Sequence, residues 1–172
     1  MRKRILVVDD VPDWRATIQA IFRQMNEFEV QTVESYVDAM DIVKKRETEL
    51  VIVDLRLSPT DETDRQGLEL LQELAKHRIN AIVLTGYPEE TLQQEAEDRY
   101  KIFDFIDKGE LAGNFQYLRD VVREAFNIME KKDALKEQLI QAAASFQTVS
   151  FSKEVASWPL GKYRKKQPTD PT

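Results

Sequence analysis

Carboxylates, a hydroxyl and a lysine recur in this sequence at one kind of place, just after a short apolar run. Ile5-Leu6-Val7-Val8 is stopped by Asp9-Asp10, and Val51-Ile52-Val53 by Asp54. Ala81–Leu84 ends on Thr85-Gly86, and Ile102–Ile106 on Asp107-Lys108-Gly109. As strands of one parallel sheet these runs end at a shared edge, so Asp9, Asp10, Asp54, Thr85 and Lys108 can converge on a single crevice. Three carboxylates packed together repel one another and need a cation. Oxygen ligands without histidine or cysteine favour a hard ion, and Mg²⁺ is the natural choice. With a lysine and a hydroxyl added, the site suits a phosphoryl group. The metal and Lys108 would neutralise its oxygens while Thr85 donates a hydrogen bond. One carboxylate so held can attack phosphorus and become an acyl phosphate.

Each residue also has an ordinary reading. Asp9-Asp10 before Pro12 could be a turn with a helix cap, Thr85-Gly86 a strand-to-helix turn, and Lys108 a solvated surface charge. Their conjunction, in order, at successive strand ends favours a phosphorylatable site.

The elements that must position these groups follow from periodicity. Continuous β-branched runs suit strands buried on both faces. Pro12 opens a helix whose face is Trp14, Ile18, Ile21, Phe22 and Met25. Phe28–Val33 is a second strand, and Ser35 caps a helix carrying Ala39, Ile42 and Val43. Glu49–Asp54 is the third strand. A long polar loop from Leu57 to Gly67 leads into a helix with Leu68, Leu71, Leu74 and Ala75 on one side. Pro88 opens a helix rich in Glu and Gln. Five strands alternating with helices predict an α/β fold, a doubly wound parallel sheet covered on both faces.

At this point the chain resembles the receiver domain of bacterial two-component response regulators, over about residues 1–127. The resemblance implies a flavodoxin-like sheet in the order 2-1-3-4-5. Asp9 and Asp10 match the acidic pair that holds Mg²⁺, and Asp54 matches the phosphoacceptor, which joins them as a ligand. The backbone carbonyl of Arg56 matches a further metal ligand. Thr85 matches the switch hydroxyl, Lys108 the lysine that pairs with the phosphoryl group, and Phe105 the aromatic switch. Arg56 and Tyr87 occupy positions that tune phosphoryl lifetime in the family. The implied phosphodonor is a phosphohistidine on a sensor histidine kinase or phosphotransfer protein, so the chain is a switch rather than an enzyme in the ordinary sense.

The sequence departs from the family in several places. Pro59 and Gly67 lie farther apart than the family's usual proline and glycine, so the loop after Asp54 carries an insertion with Asp61, Glu62 and Asp64. The family's Lys-Pro pair is here Lys108-Gly109. Phe105 lacks the hydroxyl of the commoner tyrosine, so a signal passing it must travel through packing. A degenerate receiver serving as a constitutive dimer scaffold is one alternative. Another is an aspartyl-phosphate phosphatase of the haloacid dehalogenase type. That chemistry needs a second acid two residues after the nucleophile, where this sequence has Arg56 after Asp54 and Pro12 after Asp10.

From Phe115 toward Gln147 no Pro or Gly interrupts one long helix. Leu118, Val121, Ala125, Ile128, Lys132, Leu135, Leu139, Ala142, Phe146 and Val149 keep a 3-4 alternation. That is a coiled-coil seam with one charged break at Lys132, which favours two strands. The predicted division is a receiver domain over 1–127, a helical extension over 128–149 and an irregular tail over 150–172. With no second folded domain expected, output falls to a homodimer or a partner protein engaging the last helix, not to DNA.

Composition narrows the classes further. A net charge of −6 argues against nonspecific nucleic-acid binding. The basic cluster Lys162, Arg164, Lys165 and Lys166 around Tyr163 reads as a solvated tail, and Trp158 as an exposed aromatic anchor for a partner. No run approaches the roughly 18 apolar residues of a membrane span, and the first apolar stretch is too short for a signal peptide. Without cysteine there are no disulfides or thiolate metal sites. The expected location is the cytoplasm. His77, the single histidine, reads as a surface residue at a helix C-terminus.

Overall fold

The structure, a computed structural model, describes residues 2–58, 61 and 63–148. Pro59, Glu62, Val149, the side chain of Phe146 and the tail with Trp158 and the Lys162 cluster lie outside the described residues.

β1 (Lys3–Val8), β2 (Phe28–Val33), β3 (Leu50–Val53), β4 (Asn80–Thr85) and β5 (Asp104–Asp107) form one parallel sheet in the order β2-β1-β3-β4-β5. This is the doubly wound, flavodoxin-like arrangement expected. Register brings the strand ends level: Val8 pairs with Val53, Val53 with Val83, and Thr85 with Asp107. The residues that follow, Asp9, Asp54 and Lys108, therefore meet at one edge.

Pleat alternation sorts the core. Leu6, Val8, Val51, Val53, Ala81 and Val83 pack with α2 (Tyr36–Lys45), α3 (Gln66–His77) and α4 (Glu90–Tyr100) on one face. The alternate residues Ile5, Val7, Ile52, Ile82 and Ile106 are equally buried. So are Ile18 and Phe22 of α1 (Pro12–Arg23), and Leu118, Val122 and Ala125 of the last helix. Pro12 sits in the first turn of α1, and the Ser35 hydroxyl accepts the Asp38 N–H at 3.2 Å to start α2.

Several elements differ in detail from the sequence reading. The α4 helix begins at Glu90, with Pro88 outside it and Glu89 as its N-cap. A four-residue helix, α5 (Lys108–Leu111), follows β5 directly. In α3 the buried face takes Leu70 with Leu68, Leu71 and Leu74, whereas Ala75 is exposed. The last helix, α6 (Phe115–Thr148), is continuous.

The chain divides into two units, Met1–Phe126 and Asn127–Thr172. In the first, α6 buries Leu118, Val122, Ala125 and Phe126, and Val121 is only half-buried. Two members of the expected seam, Leu118 and Ala125, are therefore core residues of the sheet domain. In the second unit, Leu135, Leu139 and Ile140 are exposed large apolar side chains.

Candidate functional site

Asp54 follows the fully buried strand β3, and its amide N–H donates to the Val8 carbonyl at 2.9 Å. That bond carries the β1–β3 ladder one residue past the strand and places Asp54 beside Asp9. Oxygens of Asp9, Asp10 and Asp54 lie within 4.8 Å of one another. Asp9 and Asp54 are almost wholly buried, and Asp10 is half-buried.

Lys108 reaches into this group from the first residue of α5. Its ammonium lies 2.7 Å from Asp9 Oδ2 and 2.5 Å from Asp54 Oδ2, and 5.3 Å from the centre of the Trp14 ring. Lys108 thus pairs with two of the three clustered carboxylates. Burial holds the Asp9 carboxyl above its ordinary 3.8, against the pull of Lys108. Asp10 is raised by burial first and by the Asp54 charge second. In both, the cost of burying the charge outweighs the attraction of the nearby cations.

Above these groups opens a cleft of about 450 Å³ lined by Asp10, Trp14, Asp54, Arg56, Tyr87 and Lys108, with Asp61 at its rim. The Arg56 N–H donates to Asp54 Oδ1 at 3.3 Å. Its guanidinium lies 3.9 Å over the Tyr87 ring and 3.3 Å from Glu89 Oε1. Thr85 is fully buried, and its hydroxyl oxygen accepts the Tyr87 N–H at 3.2 Å. Phe105 is half-buried and packs on the α2–α4 side of the sheet, beside the pocket shared with Glu110 and Tyr117 rather than in the cleft. The structure therefore gathers Asp9, Asp10, Asp54, Arg56, Tyr87 and Lys108. It leaves Thr85 turned toward its own loop and Phe105 on the flank.

Two supports of the site escape sequence reasoning. Gly67 passes directly over the backbone of Asp54 and Leu55. A Cβ there would sit 2.6 Å from the Leu55 carbonyl oxygen, and nearer still to the Asp54 carbonyl oxygen and Leu55 Cα. Asp64, seen in the sequence only as an inserted acid, closes the loop. Its carboxylate accepts the N–H groups of Leu57 at 2.5 Å, Ser58 at 2.8 Å and Gln66 at 2.9 Å. The bond from Gln66 N–H to the Asp64 carboxylate two residues back is an Asx turn, for which Asp just before a helix is the sequence signal.

Three clustered oxygen donors and no histidine or sulfur fit a hard divalent ion.

The sequence matches the family described as the response regulator receiver domain over residues 5–123. Among solved structures, the signal receiver domain of an HD domain-containing protein from Pseudomonas fluorescens Pf-5 is 22% identical, with a TM-score of 0.66. The match covers 76% of this chain and 99% of that one. A CheY-like receiver domain protein from Methanospirillum hungatei JF-1 is 22% identical at a TM-score of 0.66, covering 77% and 99%. The response regulator TrrA from Thermotoga maritima, solved in complex with Mg²⁺-BeF, is 26% identical at a TM-score of 0.56, covering 71% and 97%. No curated protein matches the chain.

Proposed function

Because the chain belongs to the response regulator receiver domain family, we propose that it is a phosphorylation-controlled switch whose acceptor is Asp54. The observation that carries this reading is the Asp54 carboxylate at the base of an open cleft, bonded to Lys108 and clustered with Asp9 and Asp10. The donor is a phosphohistidine of a sensor histidine kinase or phosphotransfer protein. An Asp54 carboxylate oxygen attacks phosphorus, the P–N bond breaks, and the imidazole nitrogen leaves with the electron pair. The product is an acyl phosphate and a neutral histidine.

Asp9, Asp10, Asp54 and the Arg56 backbone carbonyl would hold Mg²⁺ at this site. When bound, the ion supplies positive charge for the carboxylates and for the oxygens of the incoming group. Lys108, now shared by Asp9 and Asp54, turns to a phosphoryl oxygen. Thr85 exchanges its bond with the Tyr87 amide for donation to the same group. Phe105, on the strand register beside Val83, repacks as Thr85 moves. Arg56 and Tyr87 cover the cleft and slow water. The altered surface is that of α4, β5 and α6.

The receiver domain is taken as 1–127, with 128–149 as a helical extension and 150–172 as a tail. Output passes through self-association or a partner protein on the extension, where Leu135, Leu139 and Ile140 are exposed. No nucleic-acid partner is proposed. No helix among the described residues is long and apolar enough to cross a membrane, and the proposed place of action is the cytoplasm. Incubating wild type and Asp54→Asn with a small phosphodonor and Mg²⁺ tests the reading. Wild type becomes labelled and the variant does not; an unlabelled wild type overturns the proposal.

A further inference from the structure

Two cations line the cleft above Asp54, Lys108 and Arg56. Lys108 is already shared by Asp9 and Asp54. Arg56 is engaged elsewhere, its guanidinium 3.9 Å from the centre of the Tyr87 ring and paired with Glu89. Its backbone N–H meanwhile bonds the acceptor carboxylate. One residue thus has its main chain at the acceptor and its charge parked at the rim. The Glu89 side chain is 55% exposed, so water screens its hold on the guanidinium.

A phosphoryl group on Asp54 adds roughly −1.5 to −2 charge to a cleft already short of cations. Its oxygens accept the two parallel N–H groups of a guanidinium at charge-assisted strength, whereas the half-exposed Glu89 pair is a single 3.3 Å contact. The balance between the two anions is set by that difference.

We propose that Glu89 is a positioning residue that holds Arg56 in reserve at the cleft rim, and that a phosphoryl group on Asp54 takes the guanidinium over from it. This rests on the reading of Asp54 as the acceptor. Glu89 is also the N-cap residue of α4. The exchange therefore releases a carboxylate at the positive end of that helix and couples occupancy of the acceptor to the α4 terminus without any new bond to α4 itself.

The test is a double-mutant cycle on the full chain, with beryllofluoride and Mg²⁺ as the phosphoryl stand-in and bound fluoride read by ¹⁹F NMR. Glu89→Gln removes the competing anion and tightens apparent beryllofluoride affinity by about two- to fivefold. Arg56→Gln weakens it by about fivefold or more. In the Arg56→Gln background, Glu89→Gln has no further effect. If Glu89→Gln leaves affinity unchanged, or changes it equally with and without Arg56, the exchange is overturned while Asp54 stands as acceptor. If wild type binds no beryllofluoride, the acceptor reading falls and the exchange with it.

Discussion

Lys108 Nζ lies 2.5 Å from Asp54 Oδ2, both side chains almost wholly buried and 54 positions apart in the chain. The same ammonium serves Asp9 at 2.7 Å, so two buried carboxylates depend on one cation. Removing one partner of a buried ion pair leaves an uncompensated charge and costs about 3–5 kcal/mol. Lys108→Met is expected to lower the unfolding free energy by about that amount. Urea denaturation in EDTA checks this, and an unchanged midpoint would show that the pair contributes little.

Asp10 behaves in the opposite sense. Burial and the neighbouring Asp54 charge raise its carboxyl above the ordinary 3.8, so the folded protein binds that proton more tightly than the unfolded chain. The favourable contribution is complete below 3.8 and is lost as pH rises through the folded value. Without metal, Asp10→Asn is therefore expected to be more stable than wild type at neutral pH, with Tm higher by a few degrees. The gap should close as pH falls below about 4. Thermal melts in EDTA across pH read the difference directly. In Mg²⁺ the order is expected to reverse, because the variant lacks one of the proposed ligands. A variant no more stable than wild type at pH 7 in EDTA would contradict the charge balance described for the site.

Gly67 is irreplaceable for a steric reason. A methyl group there would overlap the backbone carrying Asp54. Gly67→Ala is expected to force α3 away from the backbone of Asp54 and Leu55 and to cost about 3 kcal/mol. Chemical denaturation measures the loss, and phosphodonor labelling should slow with it. Wild-type stability in this variant would mean that the helix start yields without strain.

The exposed Leu135, Leu139 and Ile140 on α6 carry the proposed association. Light scattering of the full chain beside a chain ending at Lys131 should find the first dimeric and the second monomeric. Equal masses would remove the coiled coil from the account.

Much of this was legible in the sequence. Parallel strands buried on both faces announce themselves as unbroken apolar runs, and a parallel sheet puts all their carboxyl ends on one edge. Asp9, Asp54 and Lys108 could be assigned to one site before any coordinates. Short and long-range features were not legible. The α5 helix has four residues, too few for a period. In α3, the choice of Leu70 over Ala75 depends on how two neighbouring helices flank the stripe. Along α6, a 3.5-residue seam and a 3.6-residue core face share Leu118 and Ala125 and separate at Val122 and Phe126. The pairing of Arg56 with Glu89 spans 33 positions and leaves no local trace.

The backbone after Asp54 is fastened twice, by Asp64 to the Leu57 and Ser58 amides and by Gly67 against the Asp54 and Leu55 main chain. Asp61 is not one of these fastenings, yet it lines the cleft. A substitution at Asp61 is therefore expected to change what enters the cleft more than where Asp54 sits, which separates recognition from the position of the carboxylate.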